Sequence, residues 1–343
     1  MALNRQPKHD EPPSWVVELD EIEAHLGRLR SWETREIGRS AGGRPVWACT
    51  FGPKKQVVRT ASFSAAYHAG HPQSFWGDDA LPLCYMHVTG VHGAEMEGPA
   101  SAVNFMHLIE TGQDLDGQEW PGIVSAAQGM RLVVVPVANP DGRARVTVRS
   151  LVGLTLRDLT YWGQGAWKSG ELIGYPACKR WQPLPLERVA FPGGYPNDDG
   201  YNMMHDATPG DVRTAEVRAL IALALDEVPD CVFNDHSYQL DPGVLVYSTV
   251  LDGYARRQRA LSASVEAALA AHGQRPRDYY ESSGYNLLTA LHFATGALAV
   301  TFEGPQGIDN NPYTHRGILD CHLAAIEGAL RFGAERGFRP KET

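Results

Sequence analysis

The run Arg131-Leu-Val-Val-Val-Pro-Val-Ala138 is apolar at consecutive positions rather than at alternate ones. Successive side chains of a strand point to opposite faces, so such a run needs cover on both faces of its sheet. Leu83 to Thr89, the start of Pro229 to Tyr238, and Ala297 to Phe302 read the same way. Between these runs, apolar residues recur at helical spacing over Gly98–Glu110, over Thr208–Leu225 with Thr208 as N-cap, over Ala255–His272, Tyr285–Thr295 and Tyr313–Glu335. Strands alternating with helices predict an α/β fold. It is a single domain with a mixed, mostly parallel central β-sheet covered by helices on both faces.

The remaining segments fit around that sheet. A polar, Pro-rich leader is followed by a helical pattern over Trp15–Leu29, so residues 1–30 are expected to form a leader and first helix, and residues 31–343 the main domain. Thr34 to Gly52 reads as a hairpin, residues 53–80 as a polar insert and Asp241–Thr249 as a further strand. Residues 143–200 are rich in Gly, Pro and aromatics without periodicity, which predicts loops that build a site. No repeat, low-complexity segment or linker divides the chain.

Composition narrows the partners. A net charge of −9 with no basic run argues against nucleic acid or an anionic membrane surface. The expected partner is a small molecule or peptide. No stretch approaches the roughly 20 apolar residues of a membrane span. Five widely spaced cysteines, mostly in apolar runs, read as buried thiols, and a cytoplasmic setting is expected.

Chemistry gathers where the apolar runs end. The run from Leu83 closes at Thr89-Gly90, and His92 and Glu95 lie in the glycine-flanked turn that follows. Imidazole and carboxylate are zinc ligands, and α/β sheets place ligands at the carboxyl ends of their strands. The spacing alone is weak: with 13 histidines, about one His-x-x-Glu pair is expected by chance. His107 and Glu110 form a second such pair inside a helical pattern, where helix geometry accounts for it. For His92 and Glu95, ligand and structural turn stand level on spacing alone. His236 closes another strand, Glu303 follows an apolar run where a charge is costly unless used, and Asn139-Pro-Asp-Gly142 ends a third.

Six pieces then stand in order: Gly42-Gly-Arg-Pro-Val-Trp47, Gly90-Val-His-Gly-Ala-Glu95, Asn139-Pro-Asp-Gly142, Thr214-Ala-Glu-Val-Arg-Ala-Leu220 ahead of Pro229-Asp230, Asp235-His-Ser-Tyr238 and Thr301-Phe-Glu303. Together they resemble the zinc metallocarboxypeptidases of the carboxypeptidase A and B type, as a divergent bacterial-type member, from about residue 32 to about residue 335. The resemblance implies one zinc ion per chain on His92, Glu95 and His236, with Glu303 as general base and acid. Zinc lowers the pKa of its water toward ~7, so a carboxylate can take the proton near neutrality. It also implies Tyr280 as a mobile substrate tyrosine, with Tyr279 a rival one residue away, and Arg180 as the group that steadies the oxyanion. An exposed loop arginine is the alternative for Arg180.

One departure concerns the substrate. Where the family grips a terminal carboxylate with an asparagine–arginine pair, Asn197 takes the asparagine's place and Asp198 stands where the arginine would be. A carboxylate repels a carboxylate, which predicts a different leaving group, held through hydrogen bonds to Asp198 or Asp199. His68 and His71 read as loop histidines, and His205-Asp206 either as ligand-orienting residues or as a helix-capping pair. The expected function is zinc-dependent cleavage of an amide or peptide bond at the end of a peptide or small amide. The alternatives are an N-deacylase resembling the aspartoacylase and succinylglutamate desuccinylase group, which shares a similar His-Gly-x-Glu turn, or a binding protein that has kept the fold without the chemistry.

Overall fold

A computed structural model describes residues 11–78, 81–208 and 210–340. Its strands are β1 (Glu33–Arg39), β2 (Pro45–Phe51), β3 (Cys84–Thr89), β4 (Arg131–Val135), β5 (Ala166–Trp167), β6 (Val189–Phe191), β7 (Cys231–Tyr238), β8 (Gly243–Tyr247), β9 (Tyr280–Ser282) and β10 (Leu298–Pro305). Eight form one sheet in the order β1-β2-β4-β3-β7-β10-β8-β9, while β5 and β6 pair apart. The centre, β4-β3-β7-β10, is parallel throughout. β1 and β2 join antiparallel at one side, and β8 joins β10 antiparallel at the other. The sheet is therefore mixed, with a parallel core, as the consecutive apolar runs require.

Each central strand buries both faces in different company. Tyr85, Leu132, Phe233 and Leu298 lie in one core with residues of the helices Glu97–Thr111, Asp252–Ala271 and His315–Arg336. Their immediate neighbours Met86, Val133, Val232 and Ala299 lie in a second core with the helices Ala215–Glu227 and Leu287–Thr295. Full burial of a Val, Leu or Phe side chain contributes roughly 1.5–3 kcal/mol. Shifting a central strand by one residue would exchange the two sets.

Several expected boundaries move, each for a local reason. The first helix is only Leu19–Leu26, capped by Glu18 in a reciprocal box with Glu21. Trp15 and Val17, which extended the helical pattern, instead pack in a separate cluster, where Trp15 Nε1 donates to the Arg149 carbonyl at 2.8 Å. The leader's first ten residues lie outside the described ones. The helix expected from Thr208 begins at Ala215, with Thr214 as its N-cap. The Asp206 carboxylate accepts from the Thr214 backbone and hydroxyl at 2.8 and 2.7 Å. Residues 143–200 contain a helix, Leu156–Gln164, announced only by a Thr155/Asp158 capping box. The edge strand β9 has no sequence signal of its own. Among the described residues, no helix is long and apolar enough to cross a membrane.

Candidate active site

β3, β7 and β10 run parallel and deliver their carboxyl ends to one rim of the sheet. His236 on β7 and Glu303 on β10 are register partners, so both side chains rise from the same face. The turn after β3 adds His92 and Glu95. That turn is forced tight against its neighbours: Gly93 donates to the Gly194 carbonyl at 2.7 Å, and a Cβ at Gly93 would lie 2.0 Å from the Gly142 carbonyl carbon. Only glycine fits there. Asn139 locks the crossing, donating to the Tyr195 carbonyl at 3.1 Å and accepting from Gly142 N at 2.9 Å.

The Glu95 carboxylate sits between two imidazoles. Oε1 is 2.8 Å from His92 Nδ1, and Oε2 is 2.7 Å from His236 Nδ1. One ligand atom from each of the three residues lies within 4.8 Å of the others, and all three side chains are buried. Burial pulls the Glu95 pKa upward, but the His92 and His236 imidazoles outweigh it and bring it down to about 2. Two imidazole nitrogens and one carboxylate are a donor set suited to a catalytic zinc that keeps one position open.

The other ring nitrogens are held from behind. His92 Nε2 is 3.2 Å from Asn202 Oδ1, which also accepts from Met204 N at 3.0 Å. His92 is further fixed by the Tyr195 ring, stacked on it at 3.8 Å. Beside His236, Asp235 faces the other side of β7, accepting from Ser101 Oγ at 2.9 Å and lying 2.7 Å from His322 Nδ1 and 3.1 Å from His87 Nε2. Burial raises the Asp235 pKa, and the two imidazoles pull it well below the usual carboxylate range.

These groups open onto a cavity of about 410 Å³ lined by His92, Glu95, His236, Glu303 and Tyr280 together with Asn202, His205, Lys179 and Arg277. Glu303 faces the cavity, and lost solvation, reinforced by the Glu95 charge, raises it to about 7 against the pull of His236 and Arg277. Burial, then the charges of Lys179, His92 and His236, lower His205 to about 4.

The remaining expected residues do not meet there. Asn197 and Asp198 lie outside the cavity lining. Asn197 donates to Glu216 at 3.1 Å, and Asp198 forms ion pairs with Arg145 at 2.6 Å and Arg44 at 2.9 Å. The Asp198 charge is thus answered within the chain rather than aimed at a substrate. Of Lys179 and Arg180, the lysine lines the cavity, while the Arg180 guanidinium stands over the Trp181 ring at 5.7 Å. Tyr280 lines the cavity and Tyr279 is exposed. His107 is a half-buried helix residue whose ring meets His25 at 5.7 Å. His71 pairs with Ser74, and His205-Asp206 splits, the histidine to the cavity and the aspartate to the helix cap. Sequence reasoning missed Asn202, Tyr195, Lys179 and Arg277. Asn202 had one signal: a ligating imidazole needs an acceptor at its second nitrogen.

The sequence model of the zinc carboxypeptidase family matches residues 24–170, a span that contains His92, Glu95 and Asn139-Pro-Asp-Gly142. Over that span the chain is similar to the zinc carboxypeptidases. A metallo-carboxypeptidase from Burkholderia cenocepacia has the same fold, with a TM-score of 0.58 at 16% identity over 91% of this chain and 68% of that one. Carboxypeptidase A from Helicoverpa armigera gives 0.56 at 15%, over 95% and 76% of the two chains. Thrombin activatable fibrinolysis inhibitor gives 0.57 at 15%, over 95% and 78%. No curated protein matches the sequence. The zinc carboxypeptidases are hydrolases, and the neighbours in structure, at 15–16% identity, share this chain's fold.

Proposed function

We propose that this zinc-carboxypeptidase-family chain hydrolyses an amide or peptide bond at the end of a peptide or small amide, using one zinc ion held by His92, Glu95 and His236. The observation that carries the reading is the meeting of those donors with Glu303, the register partner of His236, on one cavity. When bound, zinc acts as a Lewis acid toward the carbonyl and lowers the pKa of water.

The chain's own groups account for the proton movements. Glu303, raised to about 7, is matched to taking a proton near neutral pH and giving it back. It removes the proton of the attacking water and delivers it to the leaving nitrogen as the C–N bond breaks. Tyr280 lines the same cavity and favours the charged form of Glu303. His92 keeps its proton on Nε2 toward Asn202, which leaves Nδ1 free as a ligand. For His236, a half-turn of the Asn234 amide, whose Oδ1 has no partner, supplies the matching acceptor. Five free cysteines, four of them buried, support a cytoplasmic setting.

The test is metal analysis of gently purified protein beside hydrolysis of a panel of N-acylated amino acids and amides. One zinc per chain with chelator-sensitive cleavage is expected. Substoichiometric zinc, with no chelator-sensitive cleavage of any amide, overturns the reading.

A further inference from the structure

We infer that Met204 is a modification site: a hydroperoxide that enters the cavity converts its thioether to the sulfoxide, and the sulfoxide weakens zinc binding through Asn234. The chemistry at the sulfur rests on the geometry around it, and its consequence for zinc rests on the metal reading above.

Met204 is placed to meet a small oxidant. It lines the cavity and is 7% exposed, whereas Met86, Met96, Met106, Met130 and Met203 are at most 4% exposed and lie outside the cavity lining. The 3-10 turn Met203–His205 fixes its backbone, with Met204 N donating to Asn202 Oδ1 at 3.0 Å. Its sulfur accepts from Asn234 Nδ2 at 3.7 Å. Asn202 and Asn234 are the two amides behind the imidazoles: Asn202 Oδ1 is 3.2 Å from His92 Nε2, and Asn234 Nδ2 is 2.6 Å from His236 Nε2. Met204 therefore touches both, one through its backbone and the other through its sulfur.

The Asn234 amide is the part that can be switched. It is buried, its Nδ2 is shared between the sulfur and His236 Nε2, and its Oδ1 has no partner. His236 presents Nδ1 toward Glu95, so as a ligand through that atom it carries its proton on Nε2 and needs Oδ1 turned toward it. A thioether is a weak acceptor and does little to oppose that half-turn. A sulfoxide oxygen is a strong one, and placed on the sulfur toward Nδ2 it closes the 3.7 Å gap to ordinary hydrogen-bond range. It holds the NH2 group against His236 Nε2. That nitrogen must then accept, and the ring proton stays on Nδ1, where the metal would bind.

The step balances with the hydroperoxide as oxidant. A sulfur lone pair attacks the terminal oxygen, and the O–O bond breaks as the S–O bond forms. The proton of the transferred hydroxyl passes to the departing oxygen, which leaves as water or an alcohol. Sulfur loses two electrons and the peroxide gains them. Four of the five thiols are buried, where burial raises their pKa and little thiolate is present to compete. Cys178, partly exposed, is the thiol to control for.

The experiment treats zinc-loaded wild type, Met204→Leu and Met204→Gln with hydrogen peroxide, removes the excess with catalase, locates added oxygen by peptide mass spectrometry and measures zinc affinity by competition with a chromogenic chelator. Each protein is compared with its own untreated sample. Met204 should be oxidised before the other methionines of the cores, and the wild type should then bind zinc about 10–100-fold more weakly, the range for loss of a partner that orients a ligand. Dithiothreitol should not restore it. Met204→Leu should be unmoved by peroxide, and Met204→Gln, whose carbonyl stands in for the sulfoxide oxygen, should bind zinc more weakly than Met204→Leu before any treatment. An equal loss in Met204→Leu, a loss that dithiothreitol reverses, or a Met204 sulfoxide with zinc affinity unchanged overturns the inference. If the untreated protein binds no zinc, the metal reading fails on its own. The Asn234 side-chain NH2 resonance in asparagine-labelled protein then decides: a downfield shift on oxidation supports the switch, and an unmoved resonance overturns it.

Discussion

Glu303 on β10 stands in register with His236 on β7 across a parallel ladder. In parallel strands, register partners present their side chains on the same face, so the proposed metal donor and the proposed proton-moving carboxylate are fixed at neighbouring heights by the backbone alone. Neither depends on a loop for its place. The prediction is that Glu303→Gln keeps the shape of the site while removing its ability to take a proton. Zinc content should stay at one per chain, and kcat should fall by about 10²–10⁴-fold, the range for loss of a general base. Zinc analysis and steady-state kinetics check it, and a Gln variant that loses zinc would assign Glu303 to the metal shell instead.

Asn202 provides a second test, of the tautomer rather than the ligand. Its Oδ1 accepts from Met204 N at 3.0 Å, which identifies that atom as the oxygen, and it therefore takes the proton of His92 Nε2. Asn202→Ala frees the ring to carry its proton on Nδ1 and should weaken zinc binding by about 10–100-fold. Asn202→Asp keeps an acceptor and should restore most of it. Competition against a chromogenic chelator measures both.

How far this site was legible follows the backbone. His236 and Glu303 stand where the apolar runs of β7 and β10 stop, and His92 and Glu95 just past the end of β3, places that can be read from the sequence. The substrate wall comes from segments with no period. Lys179 and Arg180 share a 3-10 turn, Ala177–Arg180, in which neighbours point about 120° apart, so spacing could not choose between them. Asp198 was misplaced for another reason: its partner Arg44 lies 154 positions earlier, and only the fold shows that its charge is already answered. Arg277 carries no motif.

Asp141 ties two of the recognisable motifs together. It is buried and accepts from Ser40 Oγ at 2.6 Å, Gly42 N at 2.9 Å, Arg44 at 2.8 Å and Asp198 N at 3.1 Å. Two chain segments far apart in sequence thus meet on one carboxylate, behind the loop that carries Tyr195 and Asn202. Asp141→Ala strands all four donors and should cost about 3–5 kcal/mol of stability, as loss of one partner of a buried pair does. Urea unfolding measures it. A cost below about 1 kcal/mol would mean that the clamp is solvated and dispensable.

His25 supplies the pH prediction. Its ring is buried against His107, and burial, then the His107 and Arg28 charges, lower its pKa to about 4 from the ordinary imidazole value, with only Glu110 opposing. The unfolded chain takes up a proton at His25 as pH falls through about 6.5, whereas the folded chain does so only near 4. Between those values the unfolded state binds more protons, so this residue contributes stability that is intact above the unfolded pKa and is lost progressively on acidification. His25→Leu removes the titration. The variant's Tm relative to wild type should therefore rise as pH is lowered from 7 to 5, whatever the sign of the offset at pH 7. A difference in Tm that stays constant across that range would show that His25 is protonated in the folded protein as readily as in the unfolded one.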